Sequence, residues 1–220
     1  ANARNVSGKH WAQIQPSIEL INIIMKVGIF IFNEVEILDF TGPFEVFSLA
    51  KKDNEKLFQV VTIGETGEII SARNGLKVLP TANFNDELNL DILIIPGGYG
   101  AEEIEIKNKV VIDWINEQQN KVKIVASVCT GALLLAECGI LDNKSATTHW
   151  MDLDRLEREY PKINVIRNTK FVDEGNILTS GGISAGINMS FHIIKTLFDA
   201  DIAEETAKRM EYDIEISWNF

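Results

Sequence analysis

The chain is 220 residues long and 24.6 kDa, with 45% hydrophobic residues, which is enough apolar material for one sizeable core and too little for two. Its 21 Lys and Arg stand against 32 Asp and Glu, and the net charge of -11 excludes a nucleic-acid surface, whose affinity comes from clustered cations. Two cysteines on one strand-helix unit make neither a disulfide framework nor a zinc site, and no apolar run approaches the roughly 20 residues of a membrane span, so a cytoplasmic setting with no membrane partner is expected.

In chain order, residues 1–24 lack the basic start, unbroken apolar core and small-residue cleavage site of a secretion signal, and read as an appended leader or upstream extension before Met25. Residues 25–220 read as a single domain. "KVGIFIF" (26–32) and "FQVVTIG" (58–64) are short runs rich in strand formers. "GPFEVFSLAKK" between them carries apolar residues at helical spacing, giving a β-α-β opening. "GEII" and "LKVLP" flank "SARNG", whose Asn-Gly pair predicts a small hairpin. "DILIIPGG" predicts a central strand ending in a glycine turn, "NKVVIDWINEQQ" a helix, "KVKIVASV" a strand and "TGALLLAECGIL" a helix that Gly139 stops. "DLDRLEREY" is a charged surface helix, "NVIRN" and "KFVDEGNILTS" supply a strand and a hairpin, and "SAGINMSFHIIKTLF" and "DIAEETAKRM" are two closing helices. Apolar strands buried on both faces and alternating with helices predict an α/β sandwich of three layers around a mainly parallel sheet.

Cys129 stands where the strand "KIVASV" turns into an apolar helix, with Gly131 and Ala132 supplying the small residues that a nucleophile elbow needs. The amides of Thr130 and Gly131 would point from the helix start, favour thiolate over a free thiol of pKa about 8.5, and hold an oxyanion. A buried structural cysteine fits the same local pattern. Cys138, well inside the apolar helix, reads as structural.

Three further stretches end near strand ends, where open α/β sheets bind ligands. "IPGG" carries Gly98, whose amide either completes the oxyanion hole or belongs to an ordinary turn. In "ILDFTGPFEVF", Asp39 either caps the helix, with Pro43 near its first turn, or, if the first strand runs beside the cysteine strand, reaches Cys129 as a protonated acid. "SATTHW" places His149 where it could orient the thiolate, relay protons or serve only the fold. Tyr99 and Ile104 in "YGAEEIEIKN" either line the pocket or are ordinary loop residues. His10 and His192 have no comparable context, and three histidines without paired spacing to other ligands predict no metal site.

From about Met25 to its end the chain resembles the ThiJ/PfpI superfamily, which shares the flavodoxin-like sandwich of class I glutamine amidotransferases. "LDFTGPFEVF", "IPGG", "SVCTGALLLAECGILDNKSATTHW" and "TSGGISAGINM" resemble the branch that contains isonitrile hydratases and the ligand-domain half of certain AraC-type regulators. The resemblance implies a Cys129 nucleophile, an Asp39 carboxylate partner, an adjacent Thr130, an oxyanion amide at Gly98, no cofactor, and a homodimer. Thr130 stands where the protease-like branch has a histidine, which argues against a peptidase, and Asp39 stands where other branches use a glutamate. No helix-turn-helix module is read before Phe220. The expected activity is hydration of a small isonitrile to an N-substituted formamide through a covalent Cys129 intermediate. The alternatives are a glyoxalase, deglycase or amidase activity on small carbonyl compounds, a redox sensor or stress chaperone, and a catalytically silent small-ligand domain.

Overall fold

The computed structural model describes residues 24–214. The leader expected before Met25 lies almost wholly outside the described residues, as do the last six positions.

Seven strands form one sheet: β1 (Met25–Phe30), β2 (Phe58–Gly64), β3 (Ala82–Asn83), β4 (Ile92–Ile95), β5 (Ile124–Val128), β6 (Phe171–Asp173) and β7 (Ile177–Ser180). Their order is β6-β7-β5-β4-β1-β2-β3. Every pairing is parallel except the β6-β7 hairpin at one edge. The centre of the sheet explains the parallel choice: Ile92, Leu93, Ile94 and Ile95 are all fully buried, so β4 has no wet face and needs helices on both sides. Helices α1 (Ile37–Leu49), α5 (Ala185–Leu197) and α6 (Ala200–Arg209) pack on one another. Helices α2 (Lys109–Gln118) and α3 (Gly131–Glu137) pack together as the other layer, and α4 (Leu153–Glu159) is a short surface helix. This is the flavodoxin-like α/β/α sandwich. No helix among the described residues is long and apolar enough to cross a membrane.

Smaller expectations fare variously. "SARNG" is the tip of an antiparallel pair between Ile70–Ser71 and Lys77–Val78. After Cys138, the Gly139 amide bonds to the Ala136 carbonyl and the Ile140 amide to the Leu135 carbonyl, the two-bond C-terminal motif that ends α3. "NVIRN" does not join the main sheet; Asn164–Val165 pairs with Ser145–Ala146 in a separate parallel pair. His192 pairs with Asp173, Nε2 to Oδ2 at 2.6 Å, and so ties α5 to the edge strand β6.

Two corrections bear on the site. β1 does not lie beside β5, because β4 is inserted between them. Asp39 is not a capping residue either. Helix α1 begins at Ile37 behind Glu36, which makes no side-chain cap, so Asp39 sits inside the first turn and Pro43 lies in the helix interior. Pro43 has no N–H to give the Asp39 carbonyl, a gap in the ladder that the helix tolerates one turn beyond Asp39.

Candidate functional site

The carboxyl ends of β4 and β5, the start of α1 and the loop after β7 meet at Cys129. The cysteine has φ of 55°, in the left-handed region where a side chain costs about 1–3 kcal/mol, and the surroundings hold it there. Its N–H is shared between the Ser180 and Gly181 carbonyls at 3.2 and 3.3 Å, and its carbonyl accepts the Thr148 hydroxyl at 2.8 Å. Gly131 permits the corner: a Cβ there would stand 2.1 Å from the Ile95 carbonyl oxygen, so a larger residue would drive β4 and α3 apart.

Asp39 reaches the same place from α1. Its carboxyl is fully buried; Oδ2 accepts the Gly97 N–H at 3.0 Å, while Oδ1 is buried with no hydrogen-bond partner. Burial pushes this carboxyl up to about 8, with the charges of Glu36 and Glu102 adding to the rise and the Gly97 bond and the Cys129 thiol opposing it. The thiol therefore bears on the carboxyl, but no well-formed hydrogen bond closes on Oδ1.

The thiol itself departs from the sequence expectation. Burial first, then the Asp39 charge, pushes Cys129 well above the ordinary cysteine range, and the Thr130 N–H and hydroxyl only partly offset this. The cysteine is 6% exposed, so loss of hydration outweighs what the start of the seven-residue α3 returns. At neutral pH the resting pair is a thiol beside a carboxylic acid. Cys138 is also pushed up by burial, to about 12, and its Sγ lies 3.6 Å from the Ile112 carbonyl.

Thr130, 1% exposed, links the two loops: the Gly98 N–H donates to its Oγ1 at 2.9 Å, so that amide is engaged by the threonine in this structure. His149 also lies near the thiol. A Cβ on Gly182 would stand 2.2 Å from His149 Cδ2 and 2.9 Å from Cys129 Sγ, which puts the imidazole and the sulfur against the same bare backbone. His149 Nδ1 is 3.6 Å from Asp152 Oδ2, a contact that orients the ring. Tyr99 and Ile104 are exposed at 49% and 43%, on the loop after β4, and take no part in the hydrogen bonds around the sulfur.

Sequence reasoning thus named Cys129, Asp39, Thr130, Gly98, Gly131 and His149, which the fold gathers into one region, and Tyr99, which is exposed just after Gly98. It passed over Gly97 as a donor, Thr148 as a brace for the cysteine carbonyl, Glu36 and Glu102 as charges facing Asp39, and Gly182. The signal for Gly182 was the glycine pair in "TSGG", but its neighbours are distant in the chain.

A cysteine at a strand-to-helix elbow, paired with a buried acid at the carboxyl ends of a parallel sheet, defines a class, and the DJ-1/PfpI family model matches residues 25–196. The chain belongs to the DJ-1/PfpI family. It is 32% identical over 189 residues to an isonitrile hydratase of Pseudomonas putida, covering 86% of this chain and 78% of that one. It is 22% identical to the HTH-type transcriptional regulator CdhR of Pseudomonas aeruginosa over 79% of this chain, but spans only about half, 51%, of the regulator's length. The crystal structure of a ThiJ/PfpI family protein from Pseudomonas syringae superposes with a TM-score of 0.78 at 22% identity, over 96% of this chain and 85% of that one, and so shares its fold.

Proposed function

We propose that this protein hydrates a small isonitrile to the N-substituted formamide, with Cys129 as the nucleophile and Asp39 as the proton carrier. The observation that carries the reading is the Asp39 carboxyl: fully buried, neutral up to about 8, with one oxygen unpartnered, beside a cysteine at a strained corner. An isonitrile carbon is base and electrophile at once, so its hydration needs an acid proton and a nucleophile delivered to the same atom. The isonitrile hydratase relative supports the same chemistry.

The resting protonation state fixes the order of events. Asp39 gives its proton to the isonitrile carbon as Sγ bonds to that carbon, and the thiol proton returns to the carboxylate; the product is a thioimidate, R–N=CH–S, with Asp39 again neutral. Asp39 then protonates the imine nitrogen while water adds to carbon and returns a proton to the carboxylate. Collapse breaks the C–S bond, sulfur recovers a proton, and R–NH–CHO leaves, so the sum is one isonitrile and one water. The Thr130 N–H and hydroxyl stabilise sulfur as its charge changes. The buried thiol is consumed as it ionises, which removes the need for a standing thiolate. A homodimer, the habit of the resembled superfamily, is part of this proposal.

The test is to incubate the protein with cyclohexyl isonitrile and measure formamide. Turnover in the wild type and none in Cys129→Ala is the expected result; turnover that survives in Cys129→Ala overturns it. Methylglyoxal run in parallel separates a carbonyl-directed activity. A second reading, a silent ligand-binding domain, has its own support in the protonated resting thiol and in the half-length match to a regulator; it requires binding without turnover of either compound.

A further inference from the structure

The turn that holds Asp39 also holds two further carboxylates. Glu36 precedes the first residue of α1 and Asp39 is the third residue in it, the two positions of a helix start whose side chains come together in a capping box. Both are fastened to one peptide: the Glu36 N–H donates to the Gly97 carbonyl at 2.9 Å, and the Gly97 N–H donates to Asp39 Oδ2 at 3.0 Å. A Cβ on Gly98 would stand 2.5 Å from the Glu36 nitrogen, so the glycine turn lies directly against the start of α1. The Gly98 carbonyl in turn accepts the Glu102 N–H at 3.2 Å, which brings Glu102 to the same turn from the π-helical segment Gly100–Ile104. Of these three acids Asp39 is fully buried, while Glu36 and Glu102 are half-buried.

The cations nearby leave the two outer charges largely standing. Arg73 Nε is 3.9 Å from Glu36 Oε2, a loose pair in which the arginine is exposed. Arg155 engages the Glu159 carboxylate at 3.0 Å, the Glu103 carboxylate at 3.9 Å and the Glu102 carbonyl at 3.3 Å, but makes no ion pair with the Glu102 carboxylate among the described residues. The elements packed on α1 bring no opposing charge to Asp39. β1 and β2 carry one charged residue between them, Lys26, at the far end of the sheet. In α5 the titratable groups are His192, tied to Asp173, and Lys195, both past its midpoint, and the charged side chains of α6 are exposed. Cys129 completes the set of titratable neighbours. Burial is the largest cause of the raised Asp39 carboxyl, and the charges of Glu36 and Glu102 act in the same direction.

We propose that Glu36 and Glu102 are positioning residues for the catalytic proton: from the start of α1 and from the segment after β4, their negative charges hold it on Asp39 and set the alkaline end of the working range. The inference rests on the hydration reading for what the proton does and on the cluster alone for where the proton is held. Ionising Asp39 places a new negative charge against two existing ones, at a site where charges interact more strongly than in water. The same repulsion works in the second half of the cycle. Once the proton has gone to the isonitrile carbon, it makes the Asp39 carboxylate a stronger base toward the thiol and toward the attacking water.

The test changes charge while keeping shape. In Glu36→Gln, Glu102→Gln, Glu102→Lys and the double Gln variant, the pH at which kcat/KM for cyclohexyl isonitrile falls on the alkaline side is measured. That midpoint is expected to move down by roughly half a pH unit in each single Gln variant, further in Glu102→Lys, and by about the sum in the double variant. A midpoint that stays at its wild-type pH in all four overturns the proposal, because a merely structural loss lowers the rate at every pH and leaves the midpoint in place. The second measurement needs no turnover: the pH at which the stabilities of the Asp39 and Asp39→Asn proteins stop diverging marks the titration of Asp39, and it is expected to move down in the same order when the glutamates are replaced in both. If no isonitrile is hydrated but this point moves down, the charge cluster stands and the hydration reading falls. If isonitriles are hydrated and neither point moves, the cluster falls and the hydration reading stands. Glu36 and Glu102 are each only half-buried, so the single Gln variants are expected to fold and carry the comparison whatever the double variant does.

Discussion

The Thr130 hydroxyl accepts the Gly98 amide at 2.9 Å and also offsets part of the rise that burial imposes on the Cys129 thiol, so one side chain bears on both the loop after β4 and the reacting atom. Removing the hydroxyl leaves the Gly98 N–H without this partner and leaves only the Thr130 N–H to offset the rise of the Cys129 thiol. Thr130→Val is expected to lose about 1–3 kcal/mol of stability in urea denaturation and roughly 10²-fold in kcat/KM, while Thr130→Ser recovers most of both. A Val variant as active as wild type would remove Thr130 from the mechanism.

Asp39 makes the stability of the protein depend on pH in a definite direction. Its carboxyl titrates at about 8 in the folded state against an ordinary 3.8, so the folded protein holds a proton that the unfolded chain gives up between those values. The stability it contributes is fully present below 3.8 and is lost as pH rises through about 8. Asp39→Asn keeps an acceptor for the Gly97 N–H and has no such loss. Denaturation of both proteins across a pH series is expected to show the variant gaining on wild type from about pH 4 to pH 8 and then levelling. A constant difference would mean that Asp39 titrates normally.

The same variant addresses the chemistry. An asparagine cannot carry the proton, so Asp39→Asn is expected to lower kcat/KM by roughly 10²- to 10⁴-fold. In the wild type, kcat/KM is expected to fall above about 8 as the acid ionises. A rate that climbs steadily through that range would point to thiolate as the limiting species and displace Asp39 as proton donor.

Cys129 is pushed up by burial and by Asp39, so its alkylation should be slow. In a Cys138→Ser background at pH 7.5, iodoacetamide is expected to label it roughly tenfold or more slowly than a free cysteine in a peptide. Labelling faster than the peptide would restore the standing thiolate that the elbow pattern alone implies.

Gly182→Ala probes the shared wall between His149 and the sulfur. The added methyl would lie 2.2 Å from His149 Cδ2 and 2.9 Å from Sγ, so one of them must move. The expected cost is roughly 10²-fold in kcat/KM with about 1–3 kcal/mol of stability, measured by kinetics and by denaturation. Unchanged kinetics would show that the ring and the sulfur have slack to spare.

The architecture was legible because it is written in local periodicity: β4 and β5 are continuous apolar runs, and the elbow at Cys129 is a strand, a cysteine and small residues in immediate succession. The site was legible only in part. Asp39 could be singled out, but whether it capped α1 or entered the site depended on where the helix begins and which strand lies beside β5, and neither is written in the residues around Asp39. The adjacency of β1 and β5 on which its approach seemed to turn does not hold, yet Asp39 still reaches the cysteine, because the start of α1 is tied to the loop after β4 by the Glu36 N–H on the Gly97 carbonyl and the Gly97 N–H on Asp39. The thiol's rise could not be read at all: it comes from the sum of neighbours that bury the sulfur, and those arrive from β4, α1 and the loop after β7. Gly182 is likewise visible only once distant segments are brought together.

The backbone angle at Cys129 carries a consequence for any attempt to harden this protein. A left-handed φ of 55° suits glycine or asparagine better than cysteine. Selection for heat resistance alone would therefore drift toward Cys129→Gly or Cys129→Asn and discard the sulfur, so thermal screens on this scaffold need an activity gate at that one codon.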